Sequence, residues 1–258
     1  MNLTRVYGIM LRHIFLTIHQ LERFADMFLF PVFGLVLWGF LANYVQIQSS
    51  QLAAFFMGGL ILWVIFERVS TAVGVDFMFD VWERNIMNIL ASPITLLEYI
   101  SGLVVVSIVK VLVSLSAMLI IAAIFYNFSI GALGIWLVLF WFNLVLFAVS
   151  LGIFSIALVL RWGHTIGPLT WILPFAIQPF SGVFYPVSVL PELAQRIVWF
   201  LPLPHVFEGM RHTMSTGKFD FGEFLVGFGL NLVYFVLVVL FFAYMFDLVK
   251  KKGTLVKL

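Results

Sequence analysis

The chain has 258 residues, of which 63% are hydrophobic and 10% are charged, and its mean hydropathy is +1.13. A soluble domain carries about 25% charged residues, so this composition excludes a soluble globular protein and predicts an integral membrane protein. The net charge of +2 argues against a nucleic-acid partner, and the lack of cysteine excludes disulfides, thiolate catalysis and cysteine-based metal sites.

Residues 1–23 predict an amphipathic helix rather than a membrane span. At 100° per residue, one face carries the basic residues Arg5, Arg12, His19 and Arg23. The opposite face carries the apolar residues Leu3, Tyr7, Met10, Ile14, Ile18 and Leu21. This pattern favours a helix lying in the plane of the lipid headgroups. A solvated helix packed on the protein itself is the alternative.

Six apolar stretches follow, and each approaches the roughly 20 residues that a transmembrane helix needs. They lie at 24–45, 52–75, 100–126, 132–160, 165–185 and 222–248. The fifth contains Pro168, Pro174 and Pro179, which predict a kinked span. The sixth is the cleanest of the six.

The basic residues predict the orientation of these spans. Of the 14 Lys and Arg residues, ten fall on segments that share a side with the N-terminus and three fall on the opposite side, while Lys110 lies inside a span. Because cytoplasmic segments are enriched in Lys and Arg, both termini and the basic tail at 249–258 are predicted to be cytoplasmic.

The segment 186–214 is neither a clean span nor a polar domain. Short helices are predicted from Pro191 to Phe200 and from His205 to Met214, with LPLP at 201–204 as the break between them. This pattern favours two re-entrant helices in the outer leaflet, because non-helical backbone at that depth must be shielded by protein or face water. A loop resting on the headgroups is the alternative.

The stretch VWERNIMNILASPITLLEYISG is a polar interruption between the second and third spans. Its apolar residues Ile86, Ile89 and Leu90 are spaced as one stripe and predict a short amphipathic helix at 77–92. A short helix held between two spans suits docking to a soluble partner, although a plain cytoplasmic loop has a similar pattern.

The residues after this helix carry helix-start signals. Ser92 and Pro93 predict an N-cap and first helical residue, and Thr95 and Glu98 have the spacing of a capping box. The third span is therefore predicted to begin close to this point.

The charged residues Glu67, Arg68 and Lys110 lie well inside predicted spans. Charges at membrane depth are functional candidates, and Glu67 and Lys110 lie at similar depths, about 12–15 Å from the cytoplasmic end. The sequence predicts that Glu67 pairs with either Lys110 or Arg68. Snorkelling of Lys110 to the headgroups is the alternative.

Catalytic and nucleotide-binding patterns are absent from the sequence. It contains no Walker A motif, no G-x-S-x-G and no H-E-x-x-H, and the five histidines are scattered. An intramembrane enzyme would need partners for Ser150 and Ser155, and neither has a histidine in its own span. The chain is therefore predicted not to be an enzyme and to bind no metal or cofactor.

Two stretches and the overall layout resemble the membrane subunits of ABC-2 type exporters, the permeases for drugs, lipo-oligosaccharide nodulation factors and surface polysaccharides. WERNIMNILASPITLLEYISG is similar to the family's acidic–basic pair, short helix, small residue with proline, and glycine-bearing helix. FSGVFYPVSVLPELAQRIVWFLPLPHVFEGMRHTM is similar to its signature of Ser-Gly, aromatic-Pro, Leu-Pro and Glu-Gly-x-Arg. Many members have Gly-Thr where Asn85 and Ile86 stand here, which blurs the start of the docking helix.

The resemblance implies that 1–258 form one all-α ABC-2 transmembrane domain with six spans, in the inner membrane of the cell. It implies a second permease subunit, most simply a second copy, and two cytoplasmic ATPase subunits that use ATP and Mg. Movement of the coupling helix would shift spans one, two and five at the dimer interface. An amphipathic, drug-like, lipid-linked or saccharide substrate would leave through an outer gate. A stand-alone ion-coupled transporter using Glu67 and Lys110 is the alternative function.

The resemblance also assigns roles to residues. Contact with the ATPase falls to Asp80, Trp82, Glu83, Arg84, Asn85, Leu90 and Pro93. The outer gate and signature fall to Phe180, Ser181, Gly182, Pro186, Leu190, Pro191, Gly209 and Arg211.

Overall fold

The computed structural model describes residues 1–47, 49–126 and 134–252, with Leu90 and His164 described by their backbone alone. Within these ranges the chain folds into α-helices joined by turns and contains no strand, in agreement with the predicted all-α class. The α-helices are α1 Leu3–His19, α2 Leu21–Gln46, α3 Ser50–Trp82, α4 Ile86–Ala91, α5 Leu96–Tyr126, α6 Trp136–Trp162, α7 Leu169–Ile177, α8 Glu192–Val198, α9 Pro202–Thr216 and α10 Phe221–Lys251.

Five helices are long and apolar enough to cross a membrane: α2, α3, α5, α6 and α10. The predicted span at 165–185 is instead a short apolar helix, α7, continued by a 3-10 turn to Phe180. Prolines explain the difference, because Pro168 precedes α7, Pro174 lies inside it and Pro179 lies in the turn, and each lacks a backbone N–H. The prolines therefore stop this helix rather than only kinking it.

The helices α3 and α6 form the centre of the bundle. Of their most apolar 18 residues, 67% are buried in α3 and 78% in α6, against 17% in α2 and 11% in α10. A Cβ at Gly152 of α6 would lie 2.7 Å from Cβ of Val73 on α3, so the glycine permits the close approach of the two helices. The apolar outer faces of α2 and α10 are left for lipid or another protein.

Two ends of the bundle can be distinguished. The α1 end contains α1, the start of α2, the end of α3, α4 and the start of α5. The α9 end contains α8, α9 and the starts of α3, α6 and α10. The predicted span start at 132 and the tail beyond Lys252 lie outside the described residues.

Helix α1 packs on the protein and also exposes apolar side chains. Its buried residues are Val6, Ile9, His13 and Thr17. Its exposed apolar residues are Leu3, Tyr7, Phe15 and Ile18. A Cβ at Gly102 of α5 would lie 2.6 Å from Cγ2 of Ile9, so α1 depends on this glycine for its fit against α5. The membrane-surface location of the exposed face stays a prediction.

The basic face predicted for α1 turns toward acidic side chains of the protein. The Arg5 guanidinium lies 3.5 Å from the Glu98 carboxylate of α5, and Glu98 also accepts a 2.6 Å hydrogen bond from the backbone of Asn2. Arg12 pairs with Asp80 of α3 at 2.6 Å. These contacts fix α1 to the bundle at two points.

The continuous helix predicted at 77–92 is wrong in its boundaries. Residues 77–82 belong to the end of α3, a turn follows, and α4 has only six residues. Ser92 does not cap a new helix, because its hydroxyl bonds back to the carbonyl of Ile89 at 2.6 Å and closes α4. The capping box of Thr95 and Glu98 is present and begins α5.

The break predicted between the two short helices is present, but it lies at 199–201, between α8 and α9, rather than at 201–204. Pro202 lies at the first position of α9 and Pro204 in its first turn, where a missing N–H costs no helical hydrogen bond. One helix from Pro202 to Thr216 therefore replaces the shorter helix predicted after the break.

Candidate functional site

Two aspartates near the end of α3 organise a buried group of charges at the α1 end. Asp76 accepts hydrogen bonds from Lys110 Nζ of α5 at 2.8 and 2.9 Å. Nη1 of Arg23, in the first turn of α2, lies 3.4 Å from the same carboxylate. Because Asp76 is only 3% exposed, protein cations rather than water neutralise it. Asp76 thereby ties α3 to α2 and α5.

The second aspartate, Asp80, is fully buried one turn later. Its oxygens accept hydrogen bonds from Arg12 at 2.6 and 2.9 Å, and the hydroxyl of Tyr99 donates a further one. His13 Nε2 lies 3.3 Å away. Asp80 thus ties α3 to α1 and α5. We name the combined group the charged hub: Arg12, His13, Arg23, Asp76, Asp80, Tyr99 and Lys110.

His13 lies between the two aspartates with no solvent exposure. Its Nδ1 is 3.8 Å from Asp76, and its Nε2 also lies 3.1 Å from Nη1 of Arg12. Burial lowers the pKa of His13, but the carboxylates of Asp76 and Asp80 outweigh burial and hold the net pKa above its usual value. Helix α1 therefore contributes two neighbouring side chains to the charged hub.

The chain leaves α3 through residues 83–85, which we call the 83–85 turn. Arg84 is exposed and has a φ of 55°, a left-handed conformation that is uncommon outside glycine. The Glu83 carboxylate accepts hydrogen bonds from Arg23 Nη2 at 3.0 Å and from Gln20 Nε2 at 3.4 Å. The turn thus presents Arg84 outward and is fastened inward through Glu83.

The residues predicted to contact an ATPase do not share one surface. For Asp80 a direct contact is excluded, because its carboxylate is fully buried in the charged hub. Trp82 is 44% exposed but turns toward α7, where its ring centroid lies 6.3 Å from that of Trp171. Glu83 is partly exposed, and its carboxylate is bonded inward. An ATPase could therefore contact only the exposed edge of that carboxylate.

The remaining predicted contact residues lie on the outside of the turn and of α4. Arg84 and Pro93 are exposed, and Asn85 is partly exposed. Asn88, which the sequence did not single out, is exposed and donates a 3.3 Å hydrogen bond to Asn85. The side chain of Leu90 lies outside the described part of the structure. The accessible residues here thus include Arg84, Asn85, Asn88 and Pro93, together with Met87 and Ala91 of α4.

A cavity of about 680 Å³ lies between α2, α3 and α7, and we call it the groove. Aromatic side chains dominate its walls, including Phe30, Trp38, Trp63, Phe79, Trp82 and Trp171. Its polar lining comes from Glu22, Asp26, Glu67, Arg68 and Gln178. A cavity with aromatic walls and a few charged groups suits an amphipathic ligand.

Glu67 pairs with Arg68 and not with Lys110. Arg68 donates to the Glu67 carboxylate at 2.7 and 2.9 Å, and its Nη1 also reaches the carbonyl and carboxylate of Asp26 at 3.0 and 3.2 Å. The sequence left two possible partners for Glu67, Lys110 and Arg68, and the structure shows the pair with Arg68. This contact joins α3 to α2 beside the groove.

Lys110 bonds Asp76, so it neither pairs with Glu67 nor snorkels to the membrane surface. The sequence interpretation missed Asp76, although the i, i+4 spacing of Asp76 and Asp80 in an otherwise apolar helix was a usable signal. The Glu67–Lys110 pair on which an ion-coupled mechanism was based is not formed.

At the α9 end, the structure brings together part of the signature predicted for an outer gate. Gly182 has a φ of 71°, and its carbonyl accepts a 2.7 Å hydrogen bond from Nη1 of Arg211. Glu208 bridges the same turn to α9, because it accepts the backbone N–H of Val187 at 2.7 Å and lies 3.0 Å from Nη2 of Arg211. Ser181 stabilises the turn by accepting the N–H of Val183. The sequence interpretation included Glu208 in the Glu-Gly-x-Arg signature but gave it no role of its own.

The other signature residues surround this contact. They are Phe180, Pro186, Leu190, Pro191 and Gly209. Phe180 is exposed, and Pro186 and Pro191 precede a 3-10 turn and α8. A Cβ on Gly209 would lie 3.3 Å from the ring of Phe140, so this glycine lets α9 approach α6 closely.

A histidine–carboxylate pair fastens α9 to α10 at the same end. Nδ1 of His205 lies 2.6 Å from the Glu223 carboxylate, and Nε2 lies 2.8 Å from the carbonyl of Trp199. Burial lowers the pKa of His205, but the hydrogen bonds to Glu223 and Trp199 outweigh it and raise the net pKa. The sequence interpretation did not pair His205 with a carboxylate, because Glu223 lies 18 positions away.

No group of three or more His, Asp or Glu side chains in the described ranges is arranged to hold a metal ion. The charged residues of the hub bond one another, and so do Asp26, Glu67 and Arg68 beside the groove.

The described structure thus combines membrane-length helices, a groove along the central helix α3 and an exposed turn at the tip of that helix. The family model described as "ABC-2 type transporter" matches residues 9–215. The chain belongs to the ABC-2 type transporter family.

Relatives with assigned roles match over a shorter region. Two sequences named "Capsule polysaccharide export inner-membrane protein BexB", from Haemophilus influenzae, are 36% and 35% identical to this chain over 72 residues. The match covers 28% of this chain and 27% of each relative, so it spans about a quarter of the relatives' length.

Proposed function

We propose that this chain is the permease subunit of an ABC exporter and that a separate cytoplasmic ATPase drives it. The α1 end faces the cytoplasm, and the α9 end faces outward across the inner membrane. ATP and Mg are bound and used by the partner, and the permease performs no catalysis of its own. The predicted excess of basic residues on the α1 side supports this orientation.

One observation carries the proposal. The exposed 83–85 turn and α4 lie at the tip of α3, and the last two turns of the same helix form a wall of the groove through Val75, Phe79 and Trp82. A soluble partner that displaces the tip of α3 therefore acts on a side of the groove without touching it. Energy from an ATPase reaches the cargo path along one rigid element.

The cargo we propose is an amphipathic molecule with a saccharide part, such as a lipid-linked glycan. The aromatic walls offer flat apolar faces, while Asp26, Glu67 and Arg68 offer hydrogen-bonding groups at one side of the groove. The BexB relatives are named for the export of capsule polysaccharide, which supports a saccharide over a drug-like cargo.

The second permease subunit is proposed to be another copy of this chain, packed against α2. The apolar residues Phe30, Phe33, Leu37 and Phe40 are each more than 60% exposed and follow one stripe of α2. Dimerisation along this stripe would close the open side of the groove. Because lipid can also cover the stripe, size measurement of the purified chain in detergent, with Phe33→Arg as the disrupting variant, decides between the two.

The proposed function is tested by co-purifying the tagged chain with the ATPase encoded beside its gene, in lipid nanodiscs. We expect a stable complex whose ATPase activity rises with cargo. Arg84→Glu should weaken the complex, whereas Arg161→Glu, a basic residue at the same end on α6, serves as the matched control. Absence of any ATPase in the purified material would contradict the proposal.

A further inference from the structure

Arg23 is a member of the charged hub, and its side chain also contacts the 83–85 turn and the wall of the groove. It is 3% exposed in the first turn of α2. Nη2 donates to Glu83 at 3.0 Å, and Nη1 lies 3.4 Å from Asp76. Its guanidinium carbon lies 4.6 Å from the centre of the Phe79 ring, and Nε donates to the side chain of Gln20.

The end of α3 carries these three partners on adjoining faces. Phe79 belongs to the groove wall, Asp76 to the charged hub and Glu83 to the turn. Because they lie within eight residues of one helix end, they move together when the tip of α3 moves. Among the described contacts, the stacking of Arg23 on the Phe79 ring ties this side chain of the groove wall directly to α2.

The chemistry of the contact requires the planar guanidinium. Its edge donates to two carboxylates while its face stacks on an aromatic ring, and a lysine ammonium cannot do both. The contact therefore requires a planar side chain as well as a positive charge, whereas a simple ion pair requires only the charge.

Charge compensation alone does not account for Arg23. Asp76 already receives two hydrogen bonds from Lys110, and Glu83 is partly exposed, with a 37% exposed side chain that water can solvate. Removing the guanidinium would leave neither carboxylate buried without a partner. The role of Arg23 is thus one of geometry.

We propose that Arg23 is the positioning residue that converts displacement of the 83–85 turn into movement of Phe79 and Trp82 at the groove. This inference deepens the proposed function and rests on it. Arg23 does not touch the ATPase or act chemically on the cargo. It ties α2 to the end of α3, so that displacement of the 83–85 turn is passed to both of these walls of the groove.

The test uses the natural absence of cysteine from the chain. Phe175→Cys places a single thiol on the α7 wall of the groove, where the native side chain is 52% exposed. Its rate of labelling by a maleimide is measured in the permease–ATPase complex with and without a non-hydrolysable ATP analogue. Arg23→Gln and Arg23→Lys are compared with Arg161→Gln, whose native side chain stacks on Trp162.

We expect the nucleotide-dependent change in labelling to fall about five- to tenfold in Arg23→Gln and partly in Arg23→Lys, with assembly of the complex unchanged. If the nucleotide-dependent change in labelling is the same in Arg23→Gln as in Arg161→Gln, the proposal is overturned. If Arg23→Gln does not fold, Phe79→Leu and Glu83→Gln each remove one contact and leave the charged hub intact. Unaltered coupling in both would equally overturn it.

A second readout needs no ATPase. In the isolated permease, Arg23→Gln is expected to raise labelling of the same thiol about threefold, because the Phe79 wall loses its stacking partner. Labelling equal to wild type contradicts the role of Arg23. Failure of the wild-type chain to bind an ATPase contradicts the proposed function instead, so the two failures are distinguishable.

Discussion

The two ends of the bundle are held together by different chemistry. At the α1 end, four helices meet through buried ion pairs centred on Asp76 and Asp80. At the α9 end, aromatic rings dominate, as in the stacked pair Trp136 and Phe219 with centroids 4.7 Å apart. Breaking a buried ion pair strands a charge and costs about 3–5 kcal/mol, whereas an aromatic pair contributes about 0.5–1.5 kcal/mol. A single substitution in the charged hub should therefore destabilise the whole α1 end. A single substitution among the aromatic rings of the α9 end should have a smaller, local effect.

The largest effect is expected from Asp80→Ala. The substitution leaves the buried His13 and the partly exposed Arg12 without the Asp80 carboxylate, which should cost about 3 kcal/mol. Thermal unfolding in detergent measures it, with Glu22→Gln on the exposed side of α2 as a control that should change little. A midpoint for Asp80→Ala equal to that of the control would contradict the charged hub.

A smaller loss is expected from Lys110→Leu, because Arg23 and His13 still face Asp76. We expect about 2–3 kcal/mol, most of which should be restored in the double variant Asp76→Asn/Lys110→Leu. The same cycle between Glu67 and Lys110 should show no coupling. Coupling in that second cycle would place Lys110 in the groove contact instead of the hub.

Close packing of α1 is tested by Gly102→Ala. The new Cβ would meet Ile9 at 2.6 Å, and the strain should cost about 1–2 kcal/mol. Ile9→Ala in the same chain should relieve part of it. Gly229→Ala is the matched control, since nothing lies within 4 Å of a Cβ at that helical glycine. Equal effects at the two glycines would argue against tight docking of α1.

The smallest effect concerns pH at the α9 end. The pKa of His205 is raised in the folded chain, so its pairing with Glu223 stabilises fully below about pH 6.5 and is lost as pH rises through the higher folded pKa. Because Glu223 is partly exposed, we expect less than about 1 kcal/mol. The midpoint difference between wild type and His205→Gln should shrink as pH rises. A difference that grows with pH has the wrong sign for this pair.

Local signals in the sequence predicted local structure well. Apolar runs gave the approximate positions of α2, α3, α5, α6 and α10, and the capping box at Thr95 and Glu98 was found from four residues. The short α7 was not predicted, because hydropathy does not reveal how far a helix with three prolines continues.

The charged hub could not be predicted in the same way. Asp76 and Lys110 are separated by 34 positions, and His13 lies farther away still, so their meeting depends on how α1, α3 and α5 pack. Periodicity placed the basic residues of α1 on one face and could not say that acids of the protein cover that face. Assigning Asp80 to partner contact failed for the same reason.

The most direct test of the account compares ATPase binding and ATPase stimulation in two variants, Arg84→Glu and Asp80→Asn. Arg84 lies on the exposed turn, so its reversal should weaken binding about tenfold. Asp80 lies inside the hub, and Asn keeps an acceptor for Arg12 and Tyr99, so binding should persist while cargo-stimulated activity falls. Loss of binding in Asp80→Asn together with normal binding in Arg84→Glu would contradict the division between an exposed docking turn and a buried transmitting hub.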